Sequence, residues 1–287
     1  VEDLNQKVQK AVNRIEPEPL LRSLVREART LNYQSISFDL IYGLPHQTPA
    51  SFTRTLSRIM ALQPDRLALF NFAYLPDRIP RQRALDASAL PSARQKCTLF
   101  ETSMNFLHSQ GYVHIGLDHF ALPGDALARA LAQETLQRNF QGYHAKPAMD
   151  LIGLGTSSIS SLGPTYSQNA KSIAIWEAKL DAHRLPVERG IRLTNEDCWR
   201  RKVIQDILCR NRVDFPAVAK SFRRQPAALV AEAHRVLAAH ERDGLVHWRD
   251  DELQVNASGR LLVRNIASAF DAHLKSSSPH VRYSKAI

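Results

Sequence analysis

Residues 35–62 constrain the fold more than any other part of the chain. Ser35-Ile36-Ser37-Phe38 reads as a buried strand, short and rich in β-branched and aromatic residues, and Asp39-Leu40-Ile41-Tyr42 carries it to its carboxyl end. Gly43 and Pro45 break the strand. Thr48 then stands where an N-cap belongs, Pro49 takes the first helical position, and an amphipathic helix follows to about Leu62. Units of this kind build parallel α/β folds, in which ligands gather at the carboxyl ends of the strands. Asp39 lies near such an end. It is either a ligand contact or a polar strand end bonded to nearby backbone.

The same order recurs on both sides. A short helical turn over residues 6–13, with Arg14 at its exit, precedes a helix over 16–30 whose Leu20, Leu21, Leu24, Val25 and Ala28 fall at helical spacing. Leu67 to Phe72 form a second buried strand. Residues 77–90 are a long loop or short helix carrying Arg78, Arg81 and Arg83; residues 91–110 are an amphipathic helix closed by Gly111. A single third strand is predicted over 112–120. Helix and strand alternate three times, which predicts a parallel sheet with right-handed crossovers. Three strands leave a raw edge, so further strands are expected before Val1 and the chain reads as a fragment.

Downstream, a helix is predicted over 124–137, a polar and aromatic segment over 138–143, and a short strand near 150–154 running into a glycine- and serine-rich turn. That turn can present backbone N–H groups, yet it lacks the dinucleotide fingerprint and the P-loop lysine. A helix over 169–183 is followed by a basic connector, 186–193, where the domain boundary is placed. Thr194 caps a helix to about Asn211, and another helix spans 225–243. Strands at 245–249 and 253–256 flank Asp250-Asp251-Glu252, and a Ser258-capped helix runs to about residue 275. Helices followed by a two-stranded wing resemble a winged-helix module. Ser276-Ser277-Ser278 is the sole low-complexity run. The organisation expected is thus α/β over 1–190 and mainly helical over 191–287.

A formal charge of +10 is compatible with nucleic acid, an anionic membrane surface or a polyanionic small substrate. The longest apolar run, 67–75, is half of what a bilayer needs, so no membrane span is expected. Cys97, Cys198 and Cys209 are too few and too widely spaced for a disulfide framework or a CxxC metal site; buried thiols in a reduced, cytoplasmic protein are expected.

Five segments carry a more specific likeness: Asp39-Leu40-Ile41-Tyr42-Gly43-Leu44-Pro45; Pro64-Asp65-Arg66-Leu67 with Phe70-Asn71-Phe72-Ala73; Gly116-Leu117-Asp118-His119-Phe120-Ala121; Arg138-Asn139-Phe140-Gln141-Gly142-Tyr143; and Gly259-Arg260-Leu261-Leu262-Val263-Arg264-Asn265-Ile266. In residues and in order, the chain resembles the oxygen-independent coproporphyrinogen III oxidases of the radical S-adenosylmethionine (SAM) superfamily. The resemblance implies the C-terminal part of such an enzyme: the back of a partial (β/α)6 barrel followed by a helical, winged-helix-like domain. It implies oxidative decarboxylation of coproporphyrinogen III to protoporphyrinogen IX through a 5′-deoxyadenosyl radical. SAM and a [4Fe–4S] cluster are the implied cofactors, with the cluster cysteines expected before Val1, so that the isolated fragment is expected to be inactive.

Matched by position, the SAM contacts fall on Glu2, Arg14, Asp39, Ala73 and Ile159. Asp39 would accept from ribose hydroxyls, Arg14 would pair with the SAM carboxylate, and Ala73 and Ile159 would line the adenine. The family commonly has Gln where this chain has Glu2, which accepts hydrogen bonds but lacks the amide donors. Arg78, Arg81, Arg83, Arg138 and Lys146 are candidates for the substrate's propionates. The implied partners are the tetracarboxylate porphyrinogen and a reduced flavodoxin- or ferredoxin-type donor, acting on a monomer. Two other readings stand beside this one. A haem-chaperone relative differs at 118–120 and 138–143. A nucleic-acid-binding winged module is opposed by its acidic wing.

Overall fold

A computed structural model describes residues 1–146 and 150–275. Its contacts divide the chain into two compact units, the first made of Val1–Leu136 with Gln141–Ala145, the second of Gln137–Phe140 with the described residues from Lys146 onward. The boundary expected near residue 190 falls within the second unit. The serine run at 276–278 lies outside the described residues.

The first unit opens with helices α1 (Gln6–Ala11) and α2 (Glu18–Thr30), followed by strand β1 (Ser37–Tyr42) and helix α3 (Pro49–Met60). Thr48 caps α3 as expected, in a reciprocal box with Ser51. Strand β2 (Arg66–Asn71), two 3-10 turns (Pro80–Ala84 and Ala87–Ala89) and helix α4 (Ala93–Ser109) come next. β1 and β2 are parallel, in the register Asp39 to Ala68 and Ile41 to Phe70. One face of this pair packs Phe38, Leu40 and Tyr42 into a core with Phe52, Leu56 and Ile59 of α3 and Leu99 of α4. That apolar burial is what holds the helices to the sheet. On the opposite face Ser37 and Asp39 are exposed.

The single third strand is corrected. Residues 113–121 form a hairpin, β3 (Val113–Gly116) and β4 (His119–Ala121), and the sheet order is β1-β2-β4-β3. β4 runs antiparallel to β2, so the sheet is mixed. The reversal is the two-residue turn Leu117-Asp118, with Leu117 at φ 47° after Gly116 at φ 154°, next to a register shift in β3. The helix predicted over 124–137 shortens to α5 (Ala126–Ala132): Asp125 caps its start, and the chain leaves the helix through Glu134 at φ 58° before the next strand begins at Gln137.

Strand β5 (Gln137–Asn139) belongs to the second unit and β6 (Gly142–His144) to the first. The second unit continues with β7 (Ile159–Leu162), β8 (Thr165–Asn169), α6 (Ile173–Asp181) and β9 (Val187–Arg192). The basic connector is therefore a strand: β9 pairs antiparallel with β8, and β8 with β7. β8 also takes the first residue of the expected 169–183 helix, which starts only at Ile173.

Helix α7 (Asn195–Arg210) is capped by Thr194 as predicted and ends on Asn211 in the left-handed conformation. β10 (Arg212–Asp214) and α8 (Phe215–Ser221) follow, then α9 (Pro226–Arg242) and the hairpin of β11 (Val246–Arg249) and β12 (Glu252–Val255). β10 joins that hairpin in the order β10-β12-β11. Trp199, Val203, Phe215, Leu237 and Phe270 are buried among these elements. The final helix is broken into α10 (Ala257–Leu261), α11 (Val263–Ser268) and α12 (Ala272–Lys275). Ser258 does not cap it; its hydroxyl donates to the Gly244 carbonyl. Among the described residues no helix is long and apolar enough to cross a membrane.

Candidate functional site

Four of the five predicted cofactor contacts belong to the first unit and stand on or beside β1 and β2. The backbone of Glu2 runs along the outer edge of β1, where its carbonyl accepts from Ile41 N at 3.0 Å. Asp3 behind it is buried, receiving Gln47 Nε2 at 2.6 Å and the Thr55 hydroxyl on its two carboxylate oxygens. Gln47 also accepts from Leu44 N at 3.0 Å, so one buried polar network fixes the edge segment, the Gly43–Gln47 loop and α3 together.

Arg14 leaves α1 and places Nη1 2.9 Å from Glu2 Oε1 and Nε 2.9 Å from Glu16 Oε1. The Glu16 hydrogen bond, with the charge of Glu2 behind it, raises the guanidinium's pKa. Nη2 is left unspent among the described residues. The fork expected for a ligand carboxylate is therefore partly occupied by the chain's own acids. Asp39 projects from the exposed face of β1, and its carboxylate has no hydrogen-bond partner among the described residues. Ala73 follows β2, and its carbonyl accepts from Gln82 Nε2 at 2.9 Å. The adjoining Phe72 N donates to Tyr42 O at 2.8 Å, tying the carboxyl ends of the two strands.

Ile159 belongs to the second unit, at the start of β7. Gly153 lies flat against it: a Cβ there would sit 2.7 Å from the Ile159 carbonyl oxygen. The glycine- and serine-rich turn has spent much of its backbone, with the Gly153 and Gly155 carbonyls taken by Asn169 Nδ2 and Ser157 N by Ala170 O. Arg78, Arg81 and Arg83 are exposed, as is Lys146.

Two groups escaped the sequence reading. Lys96, in the first turn of α4, lays its stem over Gly43 and donates to Phe72 O at 2.8 Å. Burial pushes its pKa down. A lysine in a helix's first turn reads as solvated, and nothing in the pattern signals otherwise. His119 enters the sequence reading only within the Gly116–Ala121 likeness segment, not as a site residue; it stands on the same face as Asp39.

Among the described residues no group of three His, Cys, Asp or Glu is arranged to hold a metal ion. Cys209 is buried as expected, with burial pushing its thiol up to about 12, whereas Cys97 is exposed and Cys198 half-buried. The donor set for an iron–sulfur cluster is thus not offered by these residues. A carboxylate without a partner among the described residues, on an exposed strand face, and a guanidinium with one nitrogen unspent are group types that suit the hydroxyl and carboxylate groups of an adenosyl amino acid.

No family model matches the sequence. Individual relatives do. The oxygen-independent coproporphyrinogen III oxidase of Thermostichus vulcanus is 42% identical over 100% of this chain and 88% of its own length. The chain belongs to the oxygen-independent coproporphyrinogen III oxidase family. The Pseudomonas aeruginosa member is 44% identical, again over all of this chain but only 62% of its own length. A solved structure of the Escherichia coli coproporphyrinogen III oxidase HemN, described as a radical SAM enzyme, superposes with a TM-score of 0.92 at 42% identity, covering 95% of this chain and 63% of that one. The chain therefore spans under two thirds of the length of several family members it matches.

Proposed function

We propose that the protein carrying this chain catalyses the oxygen-independent oxidative decarboxylation of coproporphyrinogen III to protoporphyrinogen IX. The observation that carries the reading is the family likeness over the whole chain, joined to an unpaired Asp39 carboxylate on the open face of the sheet. In this reading β1, β2 and their helices are part of a partial (β/α)6 barrel. Residues 1–190 hold the barrel portion and substrate-side loops; residues 191–287 form the helical, winged-helix-like part, whose sheet order β10-β12-β11 suits that description.

SAM, when bound on a reduced cluster, supplies the means to remove hydrogen from the propionate β-carbons, each loss being followed by departure of CO2 and one electron. The chain's own residues bind and orient. Asp39 accepts from the ribose hydroxyls, and Arg14 offers Nη2 to the amino-acid carboxylate. Glu2, already paired with Arg14, sets that guanidinium's direction and accepts from an ammonium. Ala73 and Ile159 line the adenine with small and apolar surface. Cys97, Cys198 and Cys209 do not form the closely spaced triplet a cluster needs, so the piece alone is expected to be inactive. The electron donor is a reduced flavodoxin- or ferredoxin-type protein, and the enzyme acts as a cytoplasmic monomer.

The test is an anaerobic assay of the full-length protein with reconstituted cluster, SAM and coproporphyrinogen III. Formation of protoporphyrinogen IX with SAM consumption is expected, and Asp39→Ala should weaken SAM binding about ten-fold or more, as loss of a charged hydrogen bond does. Failure of the wild type to consume either compound overturns the reading.

A further inference from the structure

His119 stands in one cross-strand row with Ala68 and Asp39, on the sheet face turned away from the helices. Neighbouring strands are about 4.8 Å apart, so the histidine lies two strands, on the order of 10 Å, from the proposed ribose contact. Its Nδ1 is 2.9 Å from Asp118 Oδ1. An imidazole N–H donating to a carboxylate sets the ring's orientation and directs Nε2 away from the acid. The ring is boxed edge-on by Phe70, with centroids 6.1 Å apart, and by Tyr143 at 5.3 Å.

Nε2 has no hydrogen-bond partner among the described residues, although the side chain is only 22% exposed. Gly142 flanks that nitrogen at φ 137°, and a Cβ there would sit 3.5 Å from it. A larger side chain would fill the space Nε2 faces. A mostly covered imidazole with one nitrogen gripped by an acid and the other unspent is an expensive way to pack an aromatic box. Phe or Leu would serve better.

We propose that His119 is a specificity-determining contact for the substrate: with Nδ1 held by Asp118, it offers Nε2 for a hydrogen bond with a side-chain carboxyl group of the porphyrinogen. This deepens the proposed function and rests on it for the identity of the substrate. The charged and titratable groups around the ring are Asp118 from the β3–β4 turn and Tyr143 from β6. Asp39 of β1 lies farther along the same face, as does Arg66 of β2, which is already committed to Asp125. The aromatic walls of Phe70 and Tyr143 exclude water from the hydrogen bond that Nε2 makes.

The experiment uses the full-length protein and two readouts. Coproporphyrin III, the stable oxidised form bearing the same four carboxylates, is titrated by fluorescence, and turnover of the porphyrinogen is measured in parallel. His119→Gln keeps a hydrogen-bonding amide without the ring; Asp118→Asn keeps the ring but changes the group that orients it. His119→Gln is expected to weaken coproporphyrin binding and raise KM about ten-fold while SAM affinity stays unchanged. Asp118→Asn is expected to weaken coproporphyrin binding by a smaller factor, by loosening the ring's orientation, again with SAM affinity unchanged. Variants that melt with the wild type yet bind the porphyrin equally well overturn the proposal, as does a loss confined to SAM affinity. A wild type that binds coproporphyrin through His119 but never turns over would sink the enzymatic assignment and leave the carboxylate contact standing. A wild type that turns over with binding indifferent to His119 does the reverse.

Discussion

Lys96 reaches over Gly43 to donate its ammonium to the carbonyl oxygen of Phe72, 2.8 Å away. One side chain of α4 thereby ties the carboxyl ends of β1 and β2 directly beside Ala73. The arrangement requires a glycine beneath it: Gly43 has φ 88°, and a Cβ would sit 2.8 Å from Lys96 Cε. Gly43→Ala should cost about 1–3 kcal/mol from backbone strain alone and should also displace the lysine. Urea denaturation of wild type and variant checks the cost. Lys96 adds a pH signature. Burial lowers its pKa from 10.5, so the penalty for the charged form is fully present below the folded-state value and is relieved as pH rises toward 10.5. The wild type should therefore gain stability relative to Lys96→Met as pH rises through the lowered folded-state pKa toward 10.5. Parallel melting curves across that window would remove Lys96 from this role.

The cap of α7 carries an acid-side counterpart. The Thr194 hydroxyl and backbone N–H both donate to Asp197, and His273 approaches its other oxygen at 2.9 Å, holding the carboxyl down to about 2 from 3.8. A depressed carboxylate contributes stability that is present above its unfolded pKa and is lost as pH falls through the folded one. Asp197→Asn should thus be less stable than wild type at neutral pH, with the gap closing between about pH 4 and 2. Thr194→Ala should cost about 0.5–2 kcal/mol over the same neutral range. Thermal melts of the three proteins against pH decide both.

The three thiols should separate cleanly in reactivity. Cys97 is exposed, Cys198 half-buried, and Cys209 buried with its thiol pushed up to about 12 by loss of solvent. Since the thiolate is the nucleophile, alkylation of the native protein should label Cys97 first and Cys209 only after unfolding. Mass spectrometry of peptides after brief iodoacetamide treatment checks the order. Early labelling of Cys209 would mean that α7 opens readily.

Much of this architecture was legible because local chemistry and tertiary packing agree. Thr48 and Thr194 cap the helices they appear to cap, and Pro49 starts α3, because the side chain that satisfies the end of a helix lies next to it in sequence. What was missed depends on partners far away along the chain. Residues 112–120 continue a strand-like pattern straight through the Leu117-Asp118 turn, and a leucine at positive φ gives no warning of a reversal. β9 looks like a basic linker because Glu188, Arg189 and Arg192 are exposed; its pairing with β8 is made by backbone. β10, only three residues long, is a strand because β12 lies beside it. The site shows the same division. Asp39 stands out by its place at a strand end, whereas Lys96 and the free edge of His119 acquire meaning only from Gly43, Phe72 and Gly142 around them.

Gly259 makes the sharpest stability prediction in the second unit. A Cβ there would sit 2.0 Å from the Leu245 carbonyl oxygen and 2.9 Å from Val255 Cγ1. The carbonyl cannot retreat cheaply, since it accepts from Asn256 N at 2.9 Å while Leu245 N is held by His240 O. Val255 is equally constrained, buried on β12 opposite Val246. Glycine is therefore required by close approach of backbone to backbone, not by its dihedral freedom. Gly244 supplies the control: its φ of 67° strains any other residue, but nothing lies within 4 Å of its Cβ position. Gly244→Ala should cost about 1–2 kcal/mol and Gly259→Ala about 3 kcal/mol or more, because only the second forces α10 off the β11–β12 hairpin. Equal losses in denaturant titrations would show that α10 shifts freely, and the packing described for this end of the unit would have to be abandoned.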